Sequence, residues 1–261
     1  MRTQTSKIAL IVAVSTTLGA TAAHAGDPYV LVTGALVFQN DSDNIGAFDG
    51  AFSTGPGTAI SAGTVLPDGT PVGWNTEFDT GYAVSGAIGK YYGPFRAEIE
   101  VAYQNVGVET HTGVSAAGID LSAEDAGVLV SGAPANLGVS VADLVADGQG
   151  QIDTIFVMAN VLYEFGMAGP LKPYIGGGIG IGFADVNYSP SAVGIIDDGS
   201  TEFAYQAMVG FAYTVAPRAD VVLGYRYRAT NDVGIEASLF DADFEVENRA
   251  SMAEAGLRIR F

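Results

Sequence analysis

From Phe95 to Gln104 the chain alternates, placing Phe95, Ala97, Ile99, Val101 and Tyr103 on one face of an extended segment and Arg96, Glu98, Glu100, Ala102 and Gln104 on the other. A period of two marks a β-strand whose two faces meet different surroundings. The last residues repeat the pattern, with Ala253, Ala255, Leu257, Ile259 and Phe261 set against Glu254, Gly256, Arg258 and Arg260. In a soluble antiparallel sheet, such as a secreted β-sandwich, the apolar face turns to a core and the charged face to water. In a membrane barrel the assignment inverts and the apolar face meets lipid.

Composition favours the inverted arrangement. Charged residues make up 15% of the chain, glycine contributes 35 of 261 residues and the mean hydropathy is +0.28; an ordinary soluble domain carries roughly 25% charged residues. Beyond the N-terminal end there is no run of about eighteen apolar residues, so no spanning helix is expected there. A closed barrel is the other structure that satisfies every backbone group in lipid. Cysteine is absent, which removes disulfides, zinc-thiolate sites and thiol catalysis. The net charge of −18 argues against nucleic acid as a partner, because phosphate binding needs clustered Lys and Arg.

The N-terminus reads as an address. Arg2 and Lys7 precede the apolar run Ile8–Val14, and Ala23-His24-Ala25 supplies small residues for a signal peptidase, so residues 1–25 are expected to be a secretory signal and residues 26–261 the mature barrel. An uncleaved anchor helix is the alternative, opposed by Ser15, Thr16, Thr17 and Gly19, which interrupt the apolar run.

Eight alternating segments follow: Tyr29–Phe38, Phe78–Tyr91, Phe95–Asn105, Ile152–Phe165, Lys172–Ala184, Thr201–Val215, Ala219–Thr230 and Asn248–Phe261. Short connections alternate with long ones at 39–77, 106–151, 185–200 and 231–247, the plan of an all-β, eight-stranded antiparallel transmembrane β-barrel with long extracellular loops and periplasmic termini. Ten strands, if a long loop adds a hairpin in the membrane, is the alternative. Tyr91, Tyr92, Phe95, Tyr163, Phe165, Tyr174, Tyr213 and Tyr225 lie near strand ends, where an interfacial girdle needs aromatics. The ending on Leu257, Ile259 and Phe261 resembles the C-terminal signal read by the bacterial barrel assembly machinery.

The charges partition sharply. Twenty of the 29 acidic residues fall in the four long connections, which hold no Lys or Arg. Within the strands, Arg96, Glu98, Glu100, Glu164, Arg226, Arg228, Glu254, Arg258 and Arg260 share the non-lipid phase. An eight-stranded barrel leaves room only for side chains, and buried charges must be paired. An Arg/Glu network plugging the lumen is therefore expected, with Gln104, Asn160 and Gln206 as neutral partners; a charged constriction in a narrow pore is the alternative.

The motifs Asp79–Gly89, Phe95–Tyr103, Met158–Phe165, Lys172–Gly180, Phe203–Gly210 and Gly224–Tyr227 together resemble the proteobacterial porin-like outer-membrane proteins, including rickettsial-type surface antigens and opacity-type barrels. The resemblance implies an eight-stranded barrel of surface-antigen or OmpA-transmembrane type in the outer membrane of a Gram-negative bacterium. The chain departs from that pattern in its long acidic loops, and no OmpA-type peptidoglycan domain is expected after the last strand.

Other motifs point away from catalysis. Gly176, Gly178, Gly180 and Gly182 mimic a nucleotide loop, but Ile181 stands where G-x-G-x-x-G needs glycine; spaced by two, they are expected to make room for arginines across the lumen. His111 is the mature chain's one histidine, with Ser115 four residues on, and a solvated loop is a poor setting for a triad. No enzymatic activity, cofactor or dedicated metal site is expected. Asp41, Asp43, Asp197 and Asp198 are the densest candidates for divalent cations. Asp241, Asp243, Glu245 and Glu247, interleaved with Ala242, Phe244 and Val246, suggest one solvated face of a strand above the membrane. Ser140 and Asp143 suggest a capping box starting a short helix over 141–147. The remaining partners expected are outer-membrane lipid and lipopolysaccharide. The functional expectation is a surface-exposed structural and interaction barrel; a narrow cation-preferring channel is the alternative, and a lipid-modifying enzyme the third reading.

Overall fold

The computed structural model describes residues 26–130, 136–166, 169–192, 194–237 and 241–261. The expected signal at 1–25 lies outside the described residues. Eight long strands alternate as the sequence predicts: β1 Pro28–Gln39, β2 Gly81–Tyr92, β3 Phe95–Ala116, β4 Gly150–Glu164, β5 Leu171–Tyr188, β6 Ile196–Ala216, β7 Ala219–Thr230 and β8 Arg249–Arg260. Each pairs antiparallel with its sequence neighbours, and β8 pairs back to β1 from Tyr29↔Arg260 to Gln39↔Ala250. The ring closes on eight strands, so the barrel wall has no open edge. Gly93, at φ 66°, turns β2 into β3 in a backbone region that favours glycine. The start of β1 and the end of β8 lie together on the rim of short turns, with Tyr29 opposite Arg260.

The outer wall is apolar: Val32, Leu36, Ile88, Ile99, Val161, Ile175, Ile179, Val209, Leu223 and Leu257 are exposed on it. Tyr92, Phe95, Phe165, Tyr213 and Tyr225 are also exposed, as a girdle requires. Two of the expected girdle residues turn inward instead. Tyr174 is buried and its hydroxyl donates to Glu254, while Tyr91 donates to Glu164 at 3.1 Å. Both rings occupy the inward phase of their strands, where a carboxylate accepts their hydroxyl proton.

Above the barrel the four long connections fold rather than drape. Ser42–Phe48, Pro71–Phe78, Val233–Glu236 and Ala242–Val246 form strands that add, in a row, to the upper part of β3. The added strands lie outside the eight-stranded ring, so the ten-strand alternative is not realised. This cap has its own core, in which Phe48, Trp74, Val114, Val145, Tyr188 and Phe244 are buried together. The helix is present over Val141–Val145, shorter than expected: Ser140 caps it by accepting from the Asp143 amide at 3.1 Å, and Val141 and Val145 enter the cap core.

One continuous strand shows where lipid ends. On β3 the buried phase carries Arg96, Glu98 and Glu100 low down but Val106 and Val108 higher up, while the outward phase passes from Ile99 to Asn105, Gly107 and Glu109. β5 does the same, with Ile179, Ile181 and Phe183 outward below and Ala184, Val186 and Tyr188 buried above. The faces exchange chemistry because the surroundings exchange: lipid outside and charge within give way to water outside and a dry core within.

Candidate functional site

The inward faces of β3, β4, β6, β7 and β8 bring the charged residues together in two layers. In the layer nearer the cap, Arg226 reaches Glu100 at 2.6 Å and Glu254 at 2.9 Å, and Arg228 reaches Glu100 at 2.9 Å. Gln206 accepts from both guanidiniums at 2.9 Å and donates to Asn160 at 2.7 Å; Asn160 donates to Glu100 at 2.8 Å. Arg228 also lies 4.5 Å over the Phe156 ring, a desolvated cation–π contact. Each carboxylate here meets a donor on more than one strand, which is what buried charge requires.

The second layer lies toward the short turns. Arg258 contacts Glu164 at 3.0 Å and Asp220 at 2.9 Å, and Arg260 contacts Asp220 at 3.2 Å. Arg96 lies 3.6 Å from Glu98 and 3.7 Å from Glu164, with its guanidinium 4.7 Å over the Tyr174 ring. Tyr29 donates to Glu98 at 2.6 Å. Asp220, fully buried, is the carboxylate that sequence reasoning missed. It lies beside the turn from β6 to β7, where the alternation is too short to give a phase. Gln104 is buried, yet its Oε1 has no hydrogen-bond partner, so it borders the network without joining it. Arg260 is half-buried at the rim.

The glycine run of β5 does not make room for the arginines. Gly176, Gly178, Gly180 and Gly182 lie opposite Leu162, Asn160, Met158 and Phe156 of β4, and a Cβ at each would meet that partner's side chain. The space is used by the adjacent strand, and it holds Asn160 and Phe156 where they meet Glu100 and Arg228.

Residues 70–257 match the family described as "Surface antigen". The chain belongs to that family. No curated protein matches it. Among solved structures it is similar to the outer membrane protein OprG from Pseudomonas aeruginosa, at 14% identity over 91% of this chain and 96% of that one, with a TM-score of 0.52. It is also similar to Neisserial surface protein A, at 16% identity over 90% and 97% of the two chains, TM-score 0.45. A third is the outer membrane protease OmpT from Escherichia coli, at 9% identity over 93% and 99%, TM-score 0.43. This surface antigen is an outer-membrane β-barrel protein of a Gram-negative bacterium.

The cap of the surface antigen holds the histidine. His111 does not lie in a solvated loop as expected: it is 3% exposed, on the raised part of β3, facing Trp74 and Tyr188. Its Nδ1 lies 2.8 Å from Thr76 Oγ1, and Ser115 instead faces Gly73 and Asp120 across the sheet. Burial pushes the imidazole down to about 4, against a smaller upward pull from Asp147, so it is neutral at pH 7. Of the acidic candidates, Asp198 is occupied in accepting from the Gly199 and Glu236 amides. Among the described residues no group of three or more His, Asp or Glu is arranged to hold a metal ion. Asp243 and Glu245 are exposed while Ala242, Phe244 and Val246 are buried, giving the solvated strand face that the alternation suggested.

Proposed function

We propose that this protein is a surface-exposed structural and interaction barrel whose interior is plugged by the two Arg/carboxylate layers and whose folded acidic cap is what it presents to the outside. The observation that carries the reading is the junction at Glu100, which accepts from Arg226, Arg228 and Asn160 in an interior wide enough only for side chains. Its partners on this reading are outer-membrane lipid and lipopolysaccharide along the wall, the assembly machinery at Leu257, Ile259 and Phe261, and divalent cations along the acidic cap. Leu257 and Phe261 are exposed on the wall, where such a reader reaches them.

Recording from the purified protein in planar bilayers tests the plug. No steady conductance is expected; a stable, cation-preferring conductance would establish the narrow channel in its place. His111 carries no catalytic role on this reading. Release of fatty acid from lipopolysaccharide by the purified protein, lost in His111→Ala, would overturn that.

A further inference from the structure

Inside the cap lies a largely enclosed cavity of about 110 Å³, walled by Trp74, Val114, Leu144, Val145 and the ring of Tyr188. It is somewhat smaller than the dry, apolar cavities of about 150 Å³ that take benzene. Two of its lining residues carry a buried polar atom without a hydrogen-bond partner: His111, at Nε2, and Tyr188, at its hydroxyl.

The surrounding hydrogen bonds fix what His111 Nε2 offers. Trp74 Nε1 and Asn44 Nδ2 both donate to Thr76 Oγ1, at 3.2 and 2.6 Å. With both lone pairs engaged, the Thr76 hydroxyl has its single proton left for His111 Nδ1 at 2.8 Å. The chain runs back through Ser42, which donates to Asn44 Oδ1 at 3.1 Å and accepts from the Glu247 amide at 2.9 Å. Nδ1 of a neutral imidazole that accepts leaves Nε2 carrying the proton. A buried N–H donor therefore has no acceptor, in a pocket whose lining is otherwise apolar apart from the Tyr188 hydroxyl, and an orphaned buried donor is costly.

We propose that this cavity is a binding site for a small neutral molecule of about six heavy atoms, hydrocarbon in body, with one oxygen that accepts from His111 Nε2. One lining residue, Leu137, is 57% exposed. The site is separate from the barrel interior, so it stands or falls independently of the lumen plug.

Trp74 is the chain's single tryptophan, so 5-fluorotryptophan incorporation places one fluorine label in the wall of the pocket. The full-length protein in lipid nanodiscs is titrated with cyclopentanone and, separately, with methylenecyclopentane, which has the same shape and no acceptor. A saturable ¹⁹F shift is expected, with cyclopentanone binding about fivefold tighter, the value of one net hydrogen bond. Leu144→Phe, which fills the pocket, should abolish the shift, and His111→Phe should erase the preference between the probes. No saturable shift with the wild-type protein, equal affinities for the two probes, or an unchanged response in Leu144→Phe would each overturn the proposal.

Discussion

Gly178 of β5 lies directly across the ladder from Asn160 of β4, and the space left by its missing side chain is taken by the Asn160 amide, which donates to Glu100 at 2.8 Å. Sequence spacing and buried charge are linked at this point. Gly178→Ala should displace Asn160 and lower stability by about 1–3 kcal/mol, the cost of unsatisfying a buried polar group. Gly34→Ala, where a Cβ would meet nothing within 4 Å, should change little. Urea unfolding midpoints of the two variants in the same lipid or detergent make the comparison; equal losses would separate the glycine from the network.

Glu100 is the acceptor on which Arg226 and Arg228 converge. Replacing it with Gln leaves two guanidiniums competing for fewer charges and should cost about 3–5 kcal/mol. Adding Arg228→Met to Glu100→Gln should recover part of the loss, because the second buried charge is then gone. Glu254→Leu should behave like the single variant, since it leaves Arg226 Nε without its carboxylate. A double variant no more stable than Glu100→Gln would contradict this account.

His111 sets a pH dependence for the cap. Its folded value of about 4 lies below the ordinary 6.5, so above pH 6.5 the ring is neutral whether the cap is folded or open, and the cap has its full stability. As pH falls from 6.5 toward 4, the open form takes a proton that the folded form refuses. The loss amounts to at most about 3 kcal/mol over that window. Hydrogen exchange in residues 70–78 and 108–116 should accelerate there, while amides in the lower part of β3 stay protected. His111→Phe should flatten the pH profile.

The acidic rim of the cap should respond to divalent ions. Partial burial, then Asp197, Asp153 and Asp198, raise the Asp185 carboxyl above its usual range. Millimolar Ca²⁺ or Mg²⁺ should slow protease cleavage within residues 39–77 and 106–151 more than NaCl of equal ionic strength does. Equal protection by both salts would reduce the effect to plain screening.

The eight strands were legible in the sequence because lipid is a uniform surrounding. A side chain facing it must be apolar, so every second position of β3 and β8 declares its side, and Arg96, Glu98, Glu100, Glu254 and Arg258 could be assigned inward on spacing alone. β1 was not legible in this way: Tyr29, Leu31 and Val37 face in and Val32 and Leu36 face out, and residues apolar on both faces carry no phase. Asp220 and Tyr174 escaped for a related reason, lying close to turns where too few alternating neighbours fix a direction. Of the cap, only the alternating face of Asp243 and Glu245 and the helix capped by Ser140 were legible; the rest was hidden because its strands are short, interrupted by Gly and Pro, and reverse the barrel's rule, with apolar residues in and acids out. Local pattern determined which segments pair and which faces meet lipid. Which guanidinium meets which carboxylate, that Gly178 serves Asn160, and that His111 is buried beside Thr76 were decided by ring closure and cap packing, because those contacts join residues tens to more than a hundred positions apart.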